Sequence, residues 1–185
     1  MDMSAIGDVG ASAGLAAGAG IEHACAVSHV YHVECWREGA LVWAEDFKNL
    51  VTTVGKNKYL DATLKTGLAS PAWYVGLVVG PGGSNTYAAA DTMASHAGWT
   101  ESVVYSDATR QAFTPGAVSA GSVDNSASKA VFNINAGGTV GGAFMVDNST
   151  KSGGTGVLLG VGSFASDRTV ISGDTLNVTI TATMA

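Results

Sequence analysis

The sequence predicts an all-β protein, a jelly-roll-like antiparallel β-sandwich with one short helix and an extended N-terminal arm. From residue 26 onward, the chain reads as about eight short segments rich in β-branched and aromatic residues, which favour strands. Turn residues separate these segments at regular intervals, and residues 56–66 carry the one convincing helical pattern. We therefore divide the chain into an arm, residues 1–25, and a sandwich domain, residues 26–185.

The composition limits the kinds of partner that the protein can have. Apolar residues make up 46% of the chain and charged residues 13%, which is about half the usual share of charge. We expect small neutral side chains or other subunits to cover much of the surface. The net charge of −6 offers no basic patch to phosphate groups, so we expect no direct contact with nucleic acid. No apolar run approaches the roughly 18 residues that span a bilayer, so we expect no membrane contact.

The N-terminal arm is a Gly/Ala/Ser segment with few large side chains. It carries Asp2 and Asp8 without any Lys or Arg, and glycines interrupt its apolar residues, which argues against a signal peptide and favours cytoplasmic synthesis. Alone, such a segment buries too little apolar surface to offset the entropy lost on ordering. We therefore expect neighbouring subunits to hold it through its larger apolar side chains, which are Ile6, Val9, Leu15 and Ile21.

Two strands and the helix follow the arm. Residues 27–36 are rich in β-branched and aromatic residues, Gly39 predicts a turn, and residues 40–53 resume the extended pattern. Residues 56–66 are the predicted helix. Gly67 follows them, at the position where a residue in the left-handed conformation often ends a helix. One face of this helix is predicted to carry Tyr59, Leu60, Thr63 and Leu64.

After Gly67 we expect strands and turns without a second helix. The predicted strands are residues 72–79, 101–106, 129–136, 139–147, 156–164 and 174–184. The last one alternates most cleanly, with Leu176, Val178, Ile180, Ala182 and Met184 on one face and mostly threonines on the other. Such alternation is typical of a half-buried antiparallel strand whose threonines face water or a neighbouring protein. The sequence GPGG at 80–83 and the two Asp-Asn-Ser sequences at 124–126 and 147–149 predict turns.

Residues 21–36, IEHACAVSHVYHVECW, raise the question of a metal site, because they contain both cysteines and most of the histidines. A zinc site needs three or four ligands around one ion. Along one strand, His23 and Cys35 lie roughly 40 Å apart at about 3.3 Å per residue, and His32 points to the opposite face from His29. We therefore expect no metal and no cofactor. Whether Cys25 and Cys35 pair is left open, because a disulfide requires the chain to double back between them.

No pattern of catalytic residues stands out elsewhere. The chain has no G-x-S-x-G elbow, and Glu45 and Asp46 are adjacent, so on a strand they face opposite sides. The sequence GPGGS lacks the lysine of a phosphate-binding loop. Trp99 and the other three tryptophans lie in segments where core packing is favoured over a sugar-binding platform. We therefore expect that the protein is not an enzyme.

Long stretches of the chain resemble a family of tailed-bacteriophage virion proteins. They are VECWREGALVWAEDFKNLVTTVGKNKYLDATLKTG, PAWYVGLVVGPG, DTMASHAGWTESVVYSDATRQAFTPG, SVDNSASKAVFNINAGGTVGGAFMVDNSTKSGGTGVLLG and VISGDTLNVTITATMA. The most specific pieces are DTMASHAGWTE, YSDATRQAFTPG and SGDTLNVTIT. The resemblance covers about residues 30–185, and the arm and the His/Cys cluster before Val33 lie outside it. Members of this family are small jelly-roll proteins of the head surface (decoration or cement proteins), some of them described as tail-fibre-related.

The resemblance implies a structural role on the outer capsid surface of a virion made in a bacterial host. The implied partners are the major capsid protein and further copies of the chain, as a homotrimer that bridges capsomers and stabilises the DNA-filled head. The alternative is a tail- or fibre-associated protein that binds the host. We expect contacts with the capsid or between subunits at Ile6, Val9, Leu15, Ile21, His23 and His29, with the two histidines making assembly mildly sensitive to pH.

Overall fold

The structure, a computed structural model, describes residues 26–184. The arm, with Ile6, Val9, Leu15, Ile21, His23 and Cys25, lies outside the described residues. The elements are β1 (Val27–Arg37), β2 (Ala40–Lys48), β3 (Leu50–Val51), α1 (Thr53–Leu64), β4 (Trp73–Val79), β5 (Glu101–Ser102), β6 (Gln111–Phe113), β7 (Ser122–Asp124), β8 (Ala130–Asn133), β9 (Gly138–Val146), β10 (Leu158–Val170) and β11 (Thr175–Met184). Short 3₁₀ turns lie at Gly82–Ser84 and Ser126–Ser128.

The strands form two antiparallel sheets. The first sheet has the order β2-β1-β11-β7, and β8 also pairs with β11. The second has the order β3-β10-β9-β4-β5, and β6 also pairs with β4. The first strand therefore pairs with the last, and β3 pairs with the last but one, a nesting that resembles a jelly roll. The predicted all-β sandwich with one α-helix is confirmed for the described part of the chain.

The inward faces of both sheets form one apolar core. Tyr31 and Val33 of β1 and Val75 and Leu77 of β4 are fully buried in it. The predicted alternation of β11 is confirmed for its first half, where Leu176, Val178 and Ile180 are fully buried and the intervening residues face outward. The alternation continues without full burial at the end of the strand, where Met184 is 49% exposed. The inner face of β11 therefore leaves the core before the strand ends.

Helix α1 begins earlier than the sequence suggested, because Thr52 caps it. The Thr52 hydroxyl accepts a hydrogen bond from the Gly55 amide at 3.0 Å and donates one to the carbonyl oxygen of Leu158. Gly55 is the buried residue of the helix, and a Cβ at this position would overlap the carbonyl oxygen of Leu159 in β10. The helix thus packs on the second sheet through its first turn, while the predicted apolar face stays largely exposed, with Leu64 75% exposed.

A third layer of loops covers the outer face of the second sheet. Residues Val140–Val146 of β9 are buried on both sides, because residues 81–100 lie across that face. Met93 and Trp99 from these loops pack with Phe144 and Val161 in a second, smaller apolar cluster. This layer, and the short strands β6 and β7, were not predicted from the sequence.

Candidate interaction surfaces

The outer face of the first sheet is an open surface that no described layer covers. We call its central part the threonine face. It consists of the outward-facing side chains of β1 and β11, which are Val30, His32, Glu34, Trp36, Thr175, Asn177, Thr179, Thr181 and Thr183. The two strands pair residue by residue, so that His32 lies opposite Thr179 and Glu34 opposite Asn177. Most of these side chains are half-buried by their neighbours, and most of them are polar.

Charged groups at one side of the threonine face hold one another in place. The His32 ring lies 2.8 Å from Asp46 Oδ1 and 3.4 Å from Glu34 Oε1. Glu34 Oε2 accepts hydrogen bonds from Lys129 Nζ at 3.0 Å and from the Trp36 indole at 3.3 Å. The bond from Lys129 is the main reason why the pKa of Glu34 lies below its usual value. Side chains restrained in this way lose little conformational freedom when another protein docks on them.

A second surface feature is an apolar groove beside the helix, which we call the α1 groove. It has a volume of about 580 Å³, and its walls include Val27, Lys56, Tyr59, Leu60, Leu64 and Met184. A smaller depression of about 230 Å³, lined by Val118 and Val123, adjoins it at Met184. The groove therefore lies where β1 begins and β11 ends. The predicted apolar face of α1 forms one of its walls.

His29 lies inside the protomer and not on the contact surface that we expected. Its side chain is 1% exposed. The ring lies 2.7 Å from the Tyr59 hydroxyl through Nε2 and 2.9 Å from the Asn49 amide through Nδ1. Burial lowers the pKa of His29 to about 4, because the charged imidazolium loses its hydration. His29 therefore links β1 to α1, and in this fold it cannot touch another protein.

The structure places the other members of the His/Cys cluster apart. Cys35 is buried on the same side of β1 as His29, and it forms no disulfide with any described residue. Burial, followed by the nearby Asp174 carboxylate, raises the pKa of the Cys35 thiol to about 11, which keeps it protonated. His32 points to the outer face, as predicted. Within residues 26–184, no group of three or more His, Cys, Asp or Glu side chains is arranged to hold a metal ion.

The most specific segments of the sequence resemblance make structural contacts in the loop layer. Trp99 is 4% exposed, its indole donates to Asp91 Oδ2 at 3.1 Å, and its ring stacks on His96 with centroids 4.0 Å apart. A ring buried in this way is not a sugar-binding platform. Arg110 is also buried, and it donates to both carboxylate oxygens of Glu101, at 3.0 and 2.7 Å.

The buried Arg110 was missed in the sequence, where it looks like any loop arginine. Its remaining donors reach the carbonyl oxygens of Asn148 and Gly153, each at 2.9 Å. One guanidinium therefore joins β5 to the loop between β9 and β10. A buried arginine that satisfies a carboxylate and two carbonyl groups holds loops in a fixed arrangement. Trp99 and Arg110, which belong to the most specific segments of the resemblance, therefore make contacts that stabilise the fold.

Comparisons with known proteins add no family to these observations. No family model matches the chain, and a search of curated proteins gives no match. In the described part of the chain, the helices are too short or too polar to cross a membrane.

Proposed function

We propose that the protein is a bacteriophage virion protein that decorates the outer capsid surface, bridges capsomers as a homotrimer and stabilises the DNA-filled head. The observation that carries the proposal is the threonine face, an open polar surface with restrained charged groups at one side, on a sandwich whose sequence resembles head decoration proteins. The low share of charged residues, 13% of the chain, is in keeping with a surface that other proteins cover. In this proposal the partners are the major capsid protein and further copies of the chain.

The size of the threonine face indicates that it does not act alone. Two paired strands of ten residues are about 33 Å long and together about 10 Å wide, which gives the threonine face an area of about 330 Å². A stable interface covers roughly 800 Å² on each partner. In this proposal the N-terminal arm supplies the additional contact area. Residues 1–14 alone reach up to about 48 Å when fully extended, at about 3.4 Å per residue, and in this proposal Ile6 and Val9 contact a neighbouring protein.

The location of the protein in a virion reconstruction tests the proposal directly. A decoration protein covers the head in hundreds of copies, and heads that lack it should lose DNA on heating or osmotic shock. A few copies on the tail would instead favour the tail- or fibre-associated alternative. Heads that keep their DNA equally well without the protein would remove the stabilising role.

A pair of matched variants tests which surface binds the head. Thr179→Arg places a bulky charge at the centre of the threonine face, and we expect it to abolish binding to heads that lack the protein. Thr114→Arg makes the same change at an exposed position that follows β6 on the second sheet, and it should bind like the wild type. Equal binding of both variants would show that another surface contacts the capsid.

A further inference from the structure

The α1 groove is an apolar surface that no described residue covers. Leu60 and Leu64 on its helical wall are 58% and 75% exposed, and Met184 on the opposite wall is 49% exposed. Single exposed apolar side chains are normal on a protein surface, but these line one concave space. A concave apolar groove of this kind is suited to an apolar segment of chain.

We propose that residues 15–25 of the same chain bind in the α1 groove. Ala26, the first described residue, borders the groove, so the preceding chain starts at its mouth. The Cα atom of Ile21 lies within about 17 Å of Ala26, at about 3.4 Å per residue. The groove-lining part of α1, from Lys56 to Leu64, is about 12 Å long at 1.5 Å per residue. Residues 15–25 are therefore long enough to cover it.

The chemistry of this segment matches that of the groove. Leu15 and Ile21 supply large apolar side chains, and the residues between them are all Ala or Gly, which allow the backbone to approach closely. Glu22 is the one carboxylate in the segment, and Lys56 lies in the groove wall. Both the apolar side chains and the opposite charges of Glu22 and Lys56 therefore favour residues 15–25 as the occupant of the groove.

The covalent connection favours the chain's own segment over that of a second copy. A short tether gives the attached segment an effective concentration in the millimolar range. At micromolar protein concentration, a segment from another molecule is diluted about a thousandfold relative to it. The inference does not depend on the proposed function, and it leaves Ile6 and Val9 free to contact a neighbouring protein.

Cross-linking in the full chain tests the occupant. In a Cys25→Ser background, Ile21→Cys is combined with Leu60→Cys and treated with a short bismaleimide at micromolar protein concentration. We expect a cross-linked product of monomer mass whose yield does not depend on protein concentration. A product of twice the mass would assign the groove to a second copy, and no product would leave residues 15–25 outside the groove. Either result overturns the inference.

Leu41 supplies the matched control. It is 50% exposed, similar to Leu60, but it lies at the far end of the β1–β2 hairpin, about 30 Å along the sheet. Ile21→Cys with Leu41→Cys should give no product of monomer mass. As a second measurement, Leu60→Asp should lower the Tm of the full chain by about 5 °C, while Leu41→Asp leaves it nearly unchanged. An equal Tm for the two variants would mean that the groove is empty.

Discussion

Acidification gives a quantitative test of the buried contact between β1 and α1. His29 has an ordinary pKa of 6.5, and burial lowers it to about 4 in the folded protein. The unfolded chain therefore binds a proton more readily than the folded one between these two values. The stabilising contribution of neutral His29 is fully present above pH 6.5 and is lost as the pH falls towards 4. The complete loss is about 3 kcal/mol, at about 1.4 kcal/mol per pKa unit, and about 2 kcal/mol of it falls between pH 7 and pH 5.

The assay is urea unfolding at pH 7 and pH 5, in the wild type and in His29→Gln. Glutamine keeps a polar side chain at this position but does not titrate, so the variant should lose about 2 kcal/mol less on acidification than the wild type. His32→Gln, an outward-facing change on the same strand, retains the His29 contribution. Asp and Glu side chains titrate mainly below this pH range, so they do not mask the effect. An identical loss in the wild type and His29→Gln would refute the assignment of a buried neutral imidazole.

Three further changes test the packing of the helix, the loop layer and the end of the sandwich. Gly55→Ala should lower the free energy of unfolding, measured in urea, by about 1–3 kcal/mol, because the added methyl group overlaps the backbone of β10. Gly83→Ala is the control, since Gly83 has open space around it, and it should leave the free energy of unfolding nearly unchanged. Arg110→Met leaves a buried carboxylate unpaired and should cost about 3–5 kcal/mol in the same assay. The matched removal of an exposed ion pair, Lys65→Met, should cost less than about 1 kcal/mol, and equal losses would contradict the buried pair. The Arg37 guanidinium lowers the pKa of Asp174, so this carboxylate stabilises the fold above its ordinary pKa, and the stabilisation is lost as the pH falls below that value. The difference in unfolding free energy between the wild type and Asp174→Asn should therefore narrow below about pH 4. A difference that stays constant with pH would contradict this ion pair.

The strands that the sequence predicts well are those with one buried and one open face. In β1 and β11, alternation repeats over ten or more residues, so the sequence alone assigns Tyr31 and Val33 to one face and His32 to the other. Alternation does not say which neighbours fill the inner face. His29 shares the face of Tyr31, and its partner Tyr59 lies 30 residues further along the chain. That contact depends on the docking of α1, which no local pattern encodes.

The parts that could not be predicted depend on long-range packing. Strands β6 and β7 have three residues each, too few to show a period. Trp99 and Arg110 lie in loops without periodicity, and their burial follows from packing against Phe144 of β9, which is distant in the sequence. The apolar face of helix α1, by contrast, was predicted correctly from residue spacing. Spacing alone could not indicate that the described domain leaves this face uncovered.

Tyr59 connects the buried histidine to the α1 groove. Its hydroxyl bonds to His29 inside the sandwich, and the same residue forms part of the groove wall. A segment that fills the groove removes water from this corner and so further disfavours a charged imidazole, which lowers the pKa of His29. By thermodynamic linkage, protonation of His29 must then weaken the binding of that segment by the same free energy. Acid sensitivity and groove occupancy are therefore coupled, and a segment held in the groove should extend the pH range over which neutral His29 keeps α1 on the sandwich.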